Sequence, residues 1–193
     1  MISGRTWRTV DIVVAAAIGV AFGVVFWAWN LVWAAVTPAF LAFPPSQYLL
    51  YGIWLLPGVL GGLVVRKPGA ALFTELVAAS VSALIGSQWG LDTVVSGALQ
   101  GGAAELVFAL GRYRSWGPVT AVLAGAATGL AAWLHDMPVY YPELTLPDQL
   151  AFLPFMIVSA ALVAGAGAWL LWRSLLAAGA LSAFGSGQAQ PRV

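Results

Sequence analysis

The chain has 193 residues, of which 61% are hydrophobic and 8% are charged, with a formal net charge of +1. Soluble domains average about 45–50% apolar and about 25% charged residues, so this composition excludes an ordinary soluble protein and indicates that lipid surrounds most of the chain. The small net charge offers no electrostatic footprint for nucleic acid, and the absence of cysteine excludes disulfides and thiolate metal sites.

Six apolar segments follow one another and predict an all-α integral membrane protein, a bundle of six transmembrane helices. They are residues 12–36, 48–65, 70–86, 93–111, 118–134 and 150–172. The first segment exceeds the apolar region of about 7–15 residues in a secretory signal, so Arg5 and Arg8 are interpreted as flanks of a retained helix. Residues 1–175 are predicted to form one membrane domain, and the Gly-, Ser- and Gln-rich residues 176–193 a disordered tail.

Lysine and arginine predict the orientation of this bundle. With six crossings both termini lie on one side, and all eight basic residues fall on that side: Arg5, Arg8, Arg66, Lys67, Arg112, Arg114, Arg173 and Arg192. The positive-inside rule makes it the cytoplasmic side. The two long connections, residues 37–47 and 135–149, then lie outside, where they are candidate lids with Tyr140 and Tyr141 as aromatic caps.

Two acidic residues, Glu75 and Glu105, lie within the predicted helices. A charge at membrane depth costs about 2.5–3.5 kcal/mol on insertion scales, and such residues usually face the bundle interior and mark a function. No predicted span supplies a basic partner, which favours a cationic ligand. The alternative is that the acids are protonated or paired with hydroxyls and only connect helices. Gln100 lies five residues before Glu105, so their side chains diverge by about 140° around the helix.

Aromatic side chains are concentrated in the outer half of the predicted bundle. Asn30 and Trp33 share a face of the first helix, and other tryptophans and tyrosines lie at the same level. Aromatic faces suit a flat ring or a cation, although an interfacial aromatic belt is the alternative. The predicted substrate-binding residues are Glu75, Glu105, Gln100, Asn30, Trp33, Tyr51, Trp89 and Trp133. His135 is the single histidine, and no metal site, cofactor or catalytic motif is predicted.

Small residues recur at helical spacing in the first helix. Ala15, Gly19 and Gly23 form one strip, with Ala17 and Ala21 beside it. Such strips allow another helix to approach closely, either within the bundle or in a partner membrane protein. The spacing alone fits both interpretations.

Three stretches of the chain resemble the YkoE family of substrate-binding S components of energy-coupling factor (ECF) transporters. They are PGAALFTELV at residues 68–77, IGSQWG at 85–90 and SGALQGGAAELVFALGRYR at 96–114. The resemblance covers about residues 7–175, and residues 100–114 are its most specific part.

This resemblance implies a cell-membrane protein that captures thiamine or its hydroxymethylpyrimidine precursor from outside. It also implies a transmembrane coupling subunit, docked through the small-residue face of helix one, and two cytoplasmic ATPases. The chain has no GxxxxGK[ST] loop and is not expected to power transport itself. The alternatives are a stand-alone carrier or channel for a small cation and a scaffold subunit without a ligand.

Overall fold

A computed structural model describes residues 6–181 as a bundle of six helical segments. They are α1 (Thr9–Val36), α2 (Pro44–Val65), α3 (Ala70–Leu84), α4 (Asp92–Leu110), α5 (Pro118–Tyr140) and α6 (Leu146–Ala177). All but α3 are long and apolar enough to cross a membrane, and α3 is an apolar helix of 15 residues. The predicted all-α, six-helix architecture is confirmed.

Helix α2 is the centre of the bundle. Its second half, Leu56–Val65, is α-helical, and every residue in it is buried. The sequence LPGVLGGLVV is apolar on all sides, as expected of a helix surrounded by other helices. Gly61 and Gly62 face the side chains of Thr74 and Phe108 so closely that a Cβ atom at either position would collide with them. These glycines therefore let α3 and α4 approach the central helix.

The first half of α2, Pro44–Leu55, is a 3₁₀-helix of 12 residues. A 3₁₀-helix has three residues per turn, so side chains three apart lie one above another on the same face. Tyr48, Tyr51 and Trp54 have this spacing, and all three are buried. The predicted start at residue 48 is thus four residues late, because Pro44 and Pro45 occupy the first turn, where proline is tolerated.

Helix α1 packs against α3 through the strip Ala15, Gly19 and Gly23, all buried. A Cβ atom at Gly19 would lie 2.6 Å from Cβ of Val77. The expectation that these three residues face a partner protein is wrong, because they form the close contact that holds α1 in its own bundle. Ala17 and Ala21 point away from this contact and are exposed.

Helices α5 and α6 extend beyond their predicted limits. Helix α5 continues through Pro138 to Tyr140 instead of ending at residue 134, so the following connection is short. Helix α6 includes a π-helical stretch, Ala160–Gly167, and ends at Ala177, with Leu181 buried beyond it. Residues 176–181 therefore belong to the folded domain. The rest of the predicted disordered tail lies outside the described residues.

Several basic residues meet at one end of the bundle. Lys67, in the turn between α2 and α3, contacts the buried carboxylate of Asp11, and Arg8 Nη2 lies 3.0 Å from Oδ1 of the same residue. The Arg66 guanidinium lies 5.5 Å from the ring of Trp116, just before α5, and 4.9 Å from that of Trp172, in the last turns of α6. Arg8, Arg66 and Lys67 thus lie at the same end of the bundle, as the predicted cytoplasmic side requires.

Candidate substrate-binding cavity

A cavity of about 230 Å³ lies at the opposite end of the bundle, enclosed by α1 to α5 and the connection that follows α5. Its aromatic lining consists of Phe26, Trp33, Tyr48, Tyr51, Trp54, Trp89, Tyr140 and Tyr141. Its polar lining consists of Asn30, Glu75, Ser82, Thr93, Ser96, Gln100 and Asp136. Such a pocket, largely aromatic with a few convergent polar groups, is typical of a small-molecule site.

One wall of the cavity is the aromatic face of the 3₁₀-helix. The rings of Tyr48 and Tyr51 are stacked with centroids 5.5 Å apart, and Trp54 meets Tyr51 edge-on at 5.3 Å. Trp33, near the end of α1, packs edge-on against all three rings. Trp89 continues the wall by contacting Trp54 at 5.3 Å. These mutual contacts hold the rings in fixed orientations before any ligand enters.

The amide of Asn30 holds this wall in place. Its Oδ1 accepts a hydrogen bond of 3.0 Å from Nε1 of Trp54, and its Nδ2 donates to Oγ of Ser87 at 3.4 Å. Asn30 thus has two roles. It lines the cavity, and its amide fixes the orientation of the Trp54 indole.

Glu75 brings a carboxylate into the cavity from α3. The residue is 1% exposed, and Oε2 accepts the backbone N–H of Gly58 at 2.7 Å, near the start of the α-helical half of α2. Oε1 is buried and has no hydrogen-bond partner among residues 6–181. A buried acceptor without a partner costs about 1–3 kcal/mol, more if it is charged, so a ligand that donates to Oε1 would gain this energy.

Ser82 lies two turns further along the same face of α3. Its Oγ is also buried without a hydrogen-bond partner in the described part of the chain. Opposite α3, Nε2 of Gln100 donates to Oγ of Ser96 at 2.6 Å and to the hydroxyl of Tyr51 at 3.3 Å. The cavity thus presents two unsatisfied polar atoms from one helix and an orientated amide from the next.

A second carboxylate, Asp136, enters the cavity from the last turns of α5. Its Oδ2 accepts the hydroxyl of Tyr51 at 2.6 Å, and its Oδ1 lies 2.9 Å from Nδ1 of His135. Nε2 of the same imidazole lies 3.2 Å from Oδ1 of Asp92, at the start of α4. Two buried acids, Glu75 and Asp136, therefore share one aromatic cavity, and an imidazole faces only one of them.

Six of the eight predicted site residues line this cavity: Asn30, Trp33, Tyr51, Glu75, Trp89 and Gln100. Trp133 is not among its lining residues; its Nε1 donates to the carbonyl of Gln149 at 2.8 Å and connects α5 to α6. The interpretation of Trp133 as a binding residue does not agree with this position.

Glu105 lies at the opposite end of the bundle and caps α3. Its carboxylate accepts the backbone N–H groups of Gly69 at 2.6 Å and Ala71 at 3.0 Å, and the hydroxyl of Tyr113 at 2.7 Å. The first N–H groups of a helix have no partner within the helix and carry partial positive charge, so they stabilise a carboxylate. The expectation that Glu105 binds the ligand is therefore wrong for this geometry, because its oxygens are occupied far from the cavity.

Sequence reasoning missed Asp136, Tyr48 and Trp54 as site residues. Asp136 was assigned to the connection at residues 135–149, because the fifth apolar segment was predicted to end at residue 134. In the sequence YLLYGIW, Tyr48, Tyr51 and Trp54 recur at every third residue, and this period was the available signal. A period of three places side chains on a common face only in a 3₁₀-helix.

The fold agrees with comparisons to known proteins. The family described as "ABC-type cobalt transport system, permease component" matches residues 10–131. The chain is 32% identical over 164 residues to YkoE of Bacillus subtilis (strain 168), provisionally named an HMP/thiamine permease protein, and the match covers 83% of this chain and 80% of that one.

A solved structure shows the same architecture. It is described as a crystal structure of an S-component of ECF transporter, has a TM-score of 0.89 and 30% sequence identity, and the match covers 95% of this chain and 92% of the other. Fold, sequence and helix lengths agree over most of the chain. The chain is thus a multi-pass protein of the cell membrane and belongs to the YkoE family of ECF-transporter S components.

Proposed function

We propose that this chain is the substrate-capture subunit of an ECF-type importer and binds thiamine or its hydroxymethylpyrimidine (HMP) precursor in the cavity. The observation that carries the proposal is the unpartnered oxygen Oε1 of Glu75, buried in an aromatic cavity. The name given to the relative from Bacillus subtilis supports the same ligand class.

The chemistry of the cavity suits an aminopyrimidine ring. A flat heteroaromatic ring gains from stacked and edge-on contacts with fixed aromatic side chains such as Tyr51 and Trp54. Its exocyclic amino group can donate to Oε1 of Glu75, and its ring nitrogens can accept from the hydroxyl of Ser82. Thiamine adds a cationic thiazolium ring, which aromatic faces and the carboxylate of Asp136 would stabilise.

A metal ion is a poorer match to these donors, although the family description mentions cobalt. First-row divalent ions such as cobalt favour several imidazole or carboxylate ligands converging on one point. Within residues 6–181, no group of three or more His, Asp or Glu residues could hold a metal ion. The aromatic lining also favours an organic molecule.

The same proposal assigns partners to the chain. The exposed residues Ala17 and Ala21 form a strip one helical turn apart on the outer face of α1, where a transmembrane coupling subunit would approach closely. Two cytoplasmic ATPases would supply the energy. The cavity would open to the outside, since it lies opposite the end that carries Arg8, Arg66 and Lys67.

Binding of thiamine and HMP to the purified protein tests this function. Thermal unfolding with each ligand should show a raised melting temperature, because a ligand that binds only the folded state stabilises it. Glu75→Gln replaces the free acceptor by an amide donor and should weaken binding by about tenfold, or ~1.4 kcal/mol.

The matched control is Glu143→Gln, an exposed acid outside the cavity. No stabilisation by either compound would contradict the proposal and would favour a stand-alone cation carrier or a scaffold subunit. Equal binding by Glu75→Gln and Glu143→Gln would show that Glu75 has a structural role only.

A further inference from the structure

His135 joins the start of α4 to the last turns of α5 beside the cavity, and this junction of His135, Asp92 and Tyr140 is here named the rim. Its Nδ1 lies 2.9 Å from Asp136 on its own helix, and its Nε2 lies 3.2 Å from Asp92 at the start of α4. The hydroxyl of Tyr140 donates to the other oxygen of Asp92. These contacts form one continuous network from the rim of the cavity to the hydroxyl of Tyr51 inside it.

Both ring nitrogens of His135 face carboxylate oxygens, so both need to be donors. A neutral imidazole carries one N–H group and one lone pair, whereas the imidazolium ion carries two N–H groups. With both carboxyl groups ionised, only the charged form satisfies the two contacts at once. In the neutral form, a lone pair would face one of the two carboxylates.

We propose that His135, as an imidazolium shared by Asp92 and Asp136, is a positioning residue that closes the rim between α4 and α5 and holds Asp136 in the cavity. The consequence for transport rests on the proposed function, because a closed rim retains the captured ligand. The contact between the helices itself does not depend on which ligand binds.

The two carboxylates differ in how they would respond when His135 loses its proton. The side chain of Asp136 is 4% exposed and that of Asp92 is 31% exposed. Water can solvate Asp92 but not Asp136, so the neutral ring keeps its N–H directed at Asp136 and loses Asp92. The rim then opens as the pH rises through the titration of His135, while Asp136 keeps its orientation.

The surroundings contain few other groups that could titrate with the same effect. The titratable side chains facing this network are Asp92 from α4, Asp136 and Tyr140 from α5, Tyr141 just after it, and Tyr48 and Tyr51 from α2, with Glu75 of α3 in the same cavity. The chain contains one histidine, so no second imidazole contributes to a pH profile near neutrality.

Labelling of a cavity cysteine tests this closure without any ligand. The chain contains no cysteine, so Ser82→Cys is the single site, and a membrane-impermeant maleimide reports access from outside. The rate relative to that of the exposed Glu143→Cys should increase by at least about fivefold between about pH 6 and about pH 8.5.

Variants at His135, made in the same Ser82→Cys protein, distinguish the effect of the charge of this side chain on labelling from the effect of its shape. His135→Gln cannot become charged and should label fast at every pH, whereas His135→Arg remains charged and should label slowly at every pH. Asp92→Asn removes the outer partner and should also label fast without a pH dependence. Glu143→Gln, an exposed acid outside the network, should keep the native profile.

An unchanged pH profile in both His135→Gln and Asp92→Asn would overturn the proposal, since neither partner would then control the rim. Thiamine release, measured as a dissociation rate from the same His135 and Asp92 variants with Ser82 retained, should follow the same order. Absence of binding of both thiamine and HMP by the native protein would contradict the proposed function alone, because the labelling experiment reports the rim in the unliganded protein.

Discussion

Gly19 provides a direct test of how α1 is held in the bundle. A Cβ atom at this position would lie 2.6 Å from Cβ of Val77 and 2.9 Å from the carbonyl oxygen of Thr74. Carbon atoms in favourable contact are about 3.5–4.0 Å apart, so Gly19→Ala requires α1 and α3 to separate by about 1 Å. The backbone carbonyl of Thr74 cannot rotate away as a flexible side chain could.

The expected cost follows from two opposing contributions. Forcing an extra carbon into a close-packed contact costs about 1–3 kcal/mol, whereas replacing glycine by alanine within a helix recovers about 0.5–1 kcal/mol. The fixed carbonyl of Thr74 places the steric cost in the upper part of its range, about 2–3 kcal/mol, so the net loss of stability is about 1–2.5 kcal/mol for Gly19→Ala and larger for Gly19→Leu. A chain of this size loses roughly 2–4 °C in melting temperature for each kcal/mol.

Thermal unfolding of the detergent-solubilised protein, followed by size-exclusion chromatography, measures this loss. Ala21→Leu is the matched control, because it adds a larger side chain to the exposed face of the same helix. This control should leave folding and ligand binding unchanged while preventing co-purification with the coupling subunit. If Gly19→Ala is as stable as the native protein, or Ala21→Leu unfolds it, the assignment of the two faces of α1 is refuted.

Three further predictions concern other parts of the chain. Glu105→Gln should lower the free energy of unfolding by about 1–2 kcal/mol without changing ligand affinity, because it weakens the cap of α3; thermal unfolding and calorimetric titration distinguish these effects. Tyr51→Phe keeps the stacked ring but removes the hydroxyl between Asp136 and Gln100, and should weaken thiamine binding by about tenfold in the same titration. A single cysteine at Glu143 should react with an impermeant label from outside and one at Arg114 only after permeabilisation; the reverse pattern would overturn the orientation.

The number and type of helices could be predicted because the lipid imposes a minimum length of apolar sequence. The cost of an unpaired carboxylate within a helix also identified Glu75 as a candidate site residue, and Glu75 lines the cavity. The same argument failed for Glu105, since free N–H groups at the start of α3 satisfy its carboxylate. Which of two buried acids meets a helix terminus depends on tertiary packing, which one sequence does not specify.

Local rules also failed where the structure departs from ideal helices. The fifth helix was predicted to end at residue 134, but it continues through Pro138 to Tyr140 and brings Asp136 into the cavity, where Tyr51 and His135 bind its carboxylate. Gly19 and Ala21 have equivalent spacing patterns along α1, yet one is buried and the other exposed. Distinguishing them required knowing on which side α3 lies.

The 3₁₀-helix restricts how relatives of this protein can vary in length. Each residue of such a helix turns the chain by about 120°, so deleting one residue between Tyr48 and Tyr51 would rotate Tyr48 away from the cavity. Adding or deleting three residues would preserve the aromatic face and change its height by one turn, about 6 Å. Insertions and deletions between Pro44 and Leu55 are therefore expected in multiples of three among relatives that keep the aromatic wall, and such steps would offer a route to cavities of different depth.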